Sequence, residues 1–181
     1  MNVVGFAGWS GSGKTTLVEQ LVGQLKAAGQ RVSVVKHAHH EFDIDQPGKD
    51  SYRHRAAGAY EVLIASDRRL ALMREQAEHA RPDVHALLAE LDASADWVLV
   101  EGFKRSDLPK IEIWRADLTH APMYPDDPHI VAVATDAPDR LPTGAKLPAL
   151  LVLNDPASIA GWLLQHAAAG TFIYSTERRA A

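Results

Sequence analysis

Val3-Val4-Gly5-Phe6-Ala7, followed at once by Gly8-Trp9-Ser10-Gly11-Ser12-Gly13-Lys14-Thr15, is the stretch on which the fold turns. The apolar run reads as a buried strand, and the residues after it fill every fixed position of the Gly-x-x-x-x-Gly-Lys-Thr phosphate-binding pattern. Gly8, Gly11 and Gly13 carry no Cβ, so the backbone can fold back and aim its N–H groups into one concavity that holds phosphate oxygens. Lys14 is placed to reach the β- and γ-phosphates, and Thr15 to offer its hydroxyl to a magnesium ion bridging them. The helix expected to start here adds its positive dipole end.

Downstream, Leu17, Val18, Leu21, Val22 and Leu25 recur at helical spacing, and Gly29 supplies a left-handed stop. Arg31 to Lys36 then reads as a second strand, and a strand–helix–strand unit of this kind starts a parallel α/β sheet. Asp50 is expected to cap a short helix reaching Gly58. The runs 60–64 and 69–73, joined by Ser66-Asp67-Arg68, are too close for a parallel crossover and predict an antiparallel hairpin. Pro82 is expected to open a helix carrying Val84, Leu87, Leu88 and Leu91. Further strands are expected at 97–100, 110–114, 129–134 and 150–153, and Asp155-Pro156 starts a last helix through Ile159, Trp162, Leu163 and His166. Residues 170 to 181 read as a docked tail or a partner contact. The expected class is α/β: a P-loop NTPase-type, mostly parallel sheet flanked by helices, with an antiparallel hairpin extension, in one domain spanning 1–181.

Composition narrows the partners. The chain has 181 residues, with 19 Lys and Arg against 23 Asp and Glu, a formal net charge of −4. That balance argues against nucleic acid, whose binders carry a basic excess to neutralise backbone phosphates. No cysteine is present, which excludes disulfides and thiolate zinc sites. Neither a secretory leader nor a run of about 18 apolar residues is legible, so the expectation is a cytoplasmic protein without a membrane partner.

A magnesium–nucleotide site needs a carboxylate at the tip of a central strand, and Trp97-Val98-Leu99-Val100 ends on Glu101. Asp96, five residues earlier, would lie roughly 16 Å away at the opposite sheet edge. Glu101 and Thr15 are therefore the metal candidates. The segment from Lys36 to Asp45 emerges at the same carboxyl edge. Its imidazoles and carboxylates, His37, His39, His40, Glu41 and Asp43 among them, suit either a transition metal or a switch-like loop. In the second case Lys36, Lys49, Arg53 and Arg55 answer to phosphates, and Asp43, Asp45 or Asp50 orient water. The catalytic candidates are thus Lys14, Glu101, Asp45 and Asp50. The nucleotide-binding candidates are Gly8, Ser10, Gly11, Ser12, Gly13, Lys14, Thr15 and Thr16 with Lys36 and His37. An Asn-Lys-x-Asp guanine reader is absent; the corresponding places hold Thr135-Asp136 and Asn154-Asp155.

Four segments together resemble the MobB family: the phosphate loop at 8–15, Val35-Lys36-His37, Asp43-Ile44-Asp45-Gln46-Pro47-Gly48-Lys49-Asp50-Ser51 running on to Arg55, and Val98 to Lys104 with Pro109 to Ile113. The Asp-x-Asp-x-Pro-Gly-Lys-Asp-Ser and Glu-Gly-Phe-Lys stretches make the resemblance narrow. It implies a homodimeric GTP-binding adaptor of molybdenum cofactor biosynthesis with weak GTPase activity, using GTP and Mg2+. It also implies a molybdopterin guanylyltransferase as partner and a molybdopterin precursor as the molecule receiving GMP. Gly11 to Thr16 would hold the phosphates, Glu101 the magnesium, and the 43–55 loop would face the nucleotide or the precursor. Two other readings stay open. A small-molecule kinase would use 104–128 as an arginine-bearing lid with Lys104, Arg105 and Arg115, and a nickel-type metallochaperone GTPase would use His37, His39 and His40.

Overall fold

The computed structural model describes residues 1–38, 42–76, 82–142 and 148–175, which form two compact units, one of 1–37 with 83 onward and one of 38–82. The larger unit holds strands β1 (Asn2–Ala7), β2 (Val32–Lys36), β5 (Trp97–Glu101), β6 (Lys110–Trp114), β7 (Ile130–Thr135) and β8 (Ala149–Val152), with helices α1 (Lys14–Ala27), α3 (Val84–Ala89) and α4 (Pro156–Ala168). The smaller holds α2 (Asp50–Ala56) and the strands β3 (Glu61–Ala65) and β4 (Leu70–Arg74).

All six strands of the large sheet run parallel, in the order β2-β5-β1-β6-β7-β8. Strands β1 and β5 are apolar on both faces because helices cover both, as parallel sheets require. On one face Leu17, Leu21 and Leu25 of α1 and Ile159 and Leu163 of α4 bury against Val4, Phe6, Leu99, Ile111 and Ile113. Each such side chain contributes about 1.5–3 kcal/mol by leaving water. On the other, Val84 and Leu88 of α3 meet Val3, Val98, Val100 and Leu108. The α1 stop is as expected: Gly29, at φ +79°, and Gln30 donate back to Lys26 and Leu25. The tail docks, with Phe172 buried, Val3 N–H donating to its carbonyl and Tyr174 N–H to that of Met1.

Most predicted elements form within one or two residues of the expected place, and two helix starts move. Asp83, not Pro82, ends the approach to α3, because its carboxylate accepts from His85 N–H and caps the helix. Asp50 lies in the first turn of α2 and Lys49 occupies the cap position. In the smaller unit β3 and β4 pair antiparallel from Glu61–Arg74 to Ala65–Leu70. Arg55 ties that unit together: its guanidinium lies 2.7 Å from Asp43, 3.6 Å from Asp45 and 3.4 Å from Glu75. The Arg55 hydrogen bond first, then the N–H of Asp45, hold the Asp43 carboxyl well below the usual carboxylate range. No helix among the described residues is long and apolar enough to cross a membrane.

Candidate functional site

The phosphate loop joins the central strand β1 to α1, and its shape explains its glycines. At Gly8 a Cβ would lie 2.6 Å from the Ile113 carbonyl oxygen and 2.7 Å from Ser12 Oγ, so no side chain fits. Gly11 at φ +79° and Gly13 at φ +94° take left-handed backbone that turns successive N–H groups inward. Lys14 folds back across this turn and donates to the carbonyls of Gly8 at 2.9 Å and Trp9 at 2.8 Å. Burial pushes its pKa below the ordinary lysine value; Glu101 opposes that, and the nearby charges of Lys104 and Lys36 add to it.

Thr15 Oγ1 donates to Glu101 Oε1 at 2.5 Å, and Lys36 Nζ stands 3.4 Å from the other carboxylate oxygen. Glu101 is buried, and Lys36 lies beside it in register, since β2 and β5 pair at those residues. His37 continues from Lys36, donates its N–H to the Glu101 carbonyl and packs its ring 4.8 Å from that of Phe103. A hydroxyl and a carboxylate converging beside a phosphate nest are hard oxygen donors of the kind magnesium takes along with phosphate and water oxygens. The donor set therefore fits the ion.

A wall from the segment after β5 borders the loop. Trp9 donates its indole N–H to the Ala121 carbonyl at 3.2 Å and stacks on His120 at 4.2 Å. Arg115 donates from Nε to the Ser12 carbonyl at 3.2 Å and pairs through its guanidinium with Asp136 at the end of β7. Two buried charges of β6 anchor the wall. Lys110 pairs with Asp127 at 3.0 Å and donates to the Ser106 carbonyl, in space that Gly5 leaves open: a Cβ there would lie 2.7 Å from Lys110 Cγ. Glu112 accepts from the N–H groups of Met123 at 2.7 Å and Tyr124 at 2.9 Å, while burial raises its pKa.

The structure thus brings Gly8 through Thr16, Lys36, His37 and Glu101 to one edge of the large sheet. Ser12 takes part through its backbone, because its side chain is fully buried with no hydrogen-bond partner, whereas Ser10, Thr15 and Thr16 are exposed. Asp96, at the far end of β5, accepts from the N–H of Arg31. Asp45 and Asp50 belong to the smaller unit. There Asp45 accepts from Ser51 Oγ and Gln46 N–H and faces Arg55, and Asp50 pairs with Arg53 at 3.6 Å. His39, His40 and Glu41 lie outside the described residues, and among those described no three His, Asp or Glu side chains gather to hold a metal. Trp9 was not reached as a site residue from the sequence, Arg115 was reached only as a lid arginine of the kinase reading, and Asp136 only as a place where an Asn-Lys-x-Asp reader is missing; no spacing signal links the loop to positions more than a hundred residues away.

A single parallel sheet with this loop at the end of its central strand defines a P-loop α/β protein. The chain belongs to the MobB family: the model for molybdopterin guanine dinucleotide synthesis protein B matches residues 3–136. It is 41% identical over 165 residues to the molybdopterin-guanine dinucleotide biosynthesis adapter protein of Escherichia coli K12, covering 90% of this chain and 91% of that one. Against the protein of the same description from Haemophilus influenzae it is 44% identical over 137 residues, 75% of each chain. Among solved structures, the MobB protein homolog from Bacillus stearothermophilus superposes with a TM-score of 0.64 at 29% identity, covering 93% of this chain and 99% of that one.

Proposed function

We propose that this protein is a GTP-binding adaptor of molybdopterin-guanine dinucleotide biosynthesis that assists a guanylyltransferase in attaching GMP to molybdopterin and hydrolyses GTP only slowly. The relatives' description as biosynthesis adapters supports the role. The observation that carries the nucleotide chemistry is the meeting of Thr15 and Glu101 beside Lys14. Bound there, magnesium would screen the charge between the β- and γ-phosphates. The chain's own part is to hold the phosphates on the loop's N–H groups and Lys14 and to orient the metal's oxygen donors.

Slow turnover follows from what the site's arginine does. Efficient phosphoryl transfer needs a guanidinium free to meet charge on the transferring group. Arg115 is instead held by the Ser12 carbonyl and the Asp136 carboxylate. The same observation weighs against a kinase lid at 104–128, which Lys110, Glu112 and the Trp9–His120 stack anchor. The adaptor works as a homodimer in the cytoplasm in this reading. Its test is a pull-down from cytoplasmic extract with and without GTP. A molybdopterin guanylyltransferase retained with GTP is the expected outcome, and its absence from both arms sinks the adaptor role.

Guanine preference needs an acceptor for the ring N–H and the exocyclic amino group, which a carboxylate provides. Of the two late carboxylates, Asp155 caps α4 through Ser158 N–H, and nothing among the described residues ties it to the phosphate loop. Asp136, linked by Arg115 to the phosphate loop, is the base reader in this proposal. Asp136→Ala should bring GTP and ATP to near-equal affinity in competition titrations. A preference for GTP that survives the change removes Asp136 from that role.

A further inference from the structure

The turn after Glu101 holds a conformation that helix and strand geometry do not call for. Gly102 sits at φ +93° and Phe103, not a glycine, at φ +46°. A side-chain-bearing residue is strained in this left-handed region, so its surroundings must impose it. They do: the His37 ring packs on Phe103, and at Gly102 a Cβ would come within 2.9 Å of His37 Cβ.

The result of that turn is to send Lys104 back over the phosphate loop. Its Nζ lies 4.1 Å from the centroid of the Trp9 ring, in cation–π contact with the loop's own second residue. Its charge is close enough to Lys14 to help lower that lysine's pKa. No carboxylate within ion-pair distance of Lys104 is found among the described residues. Lys36 and Lys104 therefore both bear on Lys14, and like charges held this close are relieved by a polyanion. The turn that carries Lys104 follows directly on Glu101, the residue that would hold magnesium beside the phosphates. Lys104 thus stands beside Lys14, the lysine that the loop pattern assigns to the β- and γ-phosphates.

We infer that Lys104 is the residue by which the site tells a nucleoside triphosphate from a diphosphate, its ammonium leaving the face of Trp9 to bind the terminal phosphate. The inference rests on the nucleotide reading above. It gives Trp9 a part too, as the resting place that keeps the ammonium at hand when that phosphate is absent. The Lys stem is long and flexible enough for the exchange, and an ammonium–phosphate contact is stronger than one to a ring.

The test compares a non-hydrolysable GTP analogue with GDP, and inorganic tripolyphosphate with pyrophosphate, each titrated with magnesium. Lys104→Met should weaken both triphosphates about tenfold and both diphosphates less than twofold, and Lys104→Arg should restore most of the difference. Wild-type fluorescence, with Trp9→Phe to identify the contribution of Trp9, should change with the triphosphates and not with the diphosphates. Equal weakening of tri- and diphosphates, no weakening at all, or an unmoved Trp9 signal in a protein that binds GTP would each overturn the inference and leave the nucleotide site standing. A wild-type protein that binds neither guanine nucleotides nor polyphosphates would overturn both. Should Lys104→Met fail to fold, the wild-type fluorescence and Lys104→Arg still decide.

Discussion

Lys14→Ala is expected to lower GTP affinity by roughly 100-fold or more, because a charge-assisted contact to two phosphates disappears from the centre of the nest. The fold should survive. Among the described residues Lys14 Nζ donates to the loop carbonyls of Gly8 and Trp9, which water can take over, and the buried face of α1 is built by Leu17, Val18, Leu21 and Leu25. Titration calorimetry of the variant beside a thermal melt checks both halves. An unchanged GTP affinity would remove the phosphate site altogether, and with it every function assigned to the loop.

Glu101→Gln should separate two quantities that Lys14→Ala loses together. The amide keeps the shape of the side chain and can still accept from Thr15 Oγ1, so the strand tip stays in place. It is a much poorer magnesium ligand, however, and leaves Lys36 without the carboxylate now 3.4 Å away. Magnesium-dependent hydrolysis is expected to fall about 100-fold while GTP binding falls less than tenfold. Both are measured on one preparation. If they drop in parallel, Glu101 acts through binding alone and the metal assignment is wrong.

Much of the larger unit is legible in the sequence because its signals are local. The run Val3 to Ala7 is buried, the glycines sit where the backbone turns, and Glu101 follows four apolar residues that must lie in the sheet interior. The wall beside the loop is less legible for a physical reason. Lys110-Ile111-Glu112-Ile113-Trp114 alternates polar and apolar, the pattern of a strand with one wet face, yet all five residues are buried. Lys110 and Glu112 are paid for by partners far along the chain, Asp127 for one and the N–H groups of Met123 and Tyr124 for the other. Arg115 is similar, since its two partners, Ser12 and Asp136, lie on either side of it at long separation. Asp45 shows how little a polar loop reveals of its own contacts: nothing in the residues 43–55 singles out Ser51 and Arg55 as its neighbours in the smaller unit.

The central place of β1 reaches back to the synthesis of the chain. Residues 2–7 are made before either neighbour of that strand, since 97–101 and 110–114 emerge from the ribosome about a hundred residues later. At about 5–20 residues per second, this apolar strand waits several seconds or more for its partners. Until then its edges are open to pairing with any other chain nearby. The strand that carries the phosphate loop is therefore exposed to mispairing during synthesis, and a nascent chain that stops before Glu101 lacks the carboxylate that meets Thr15.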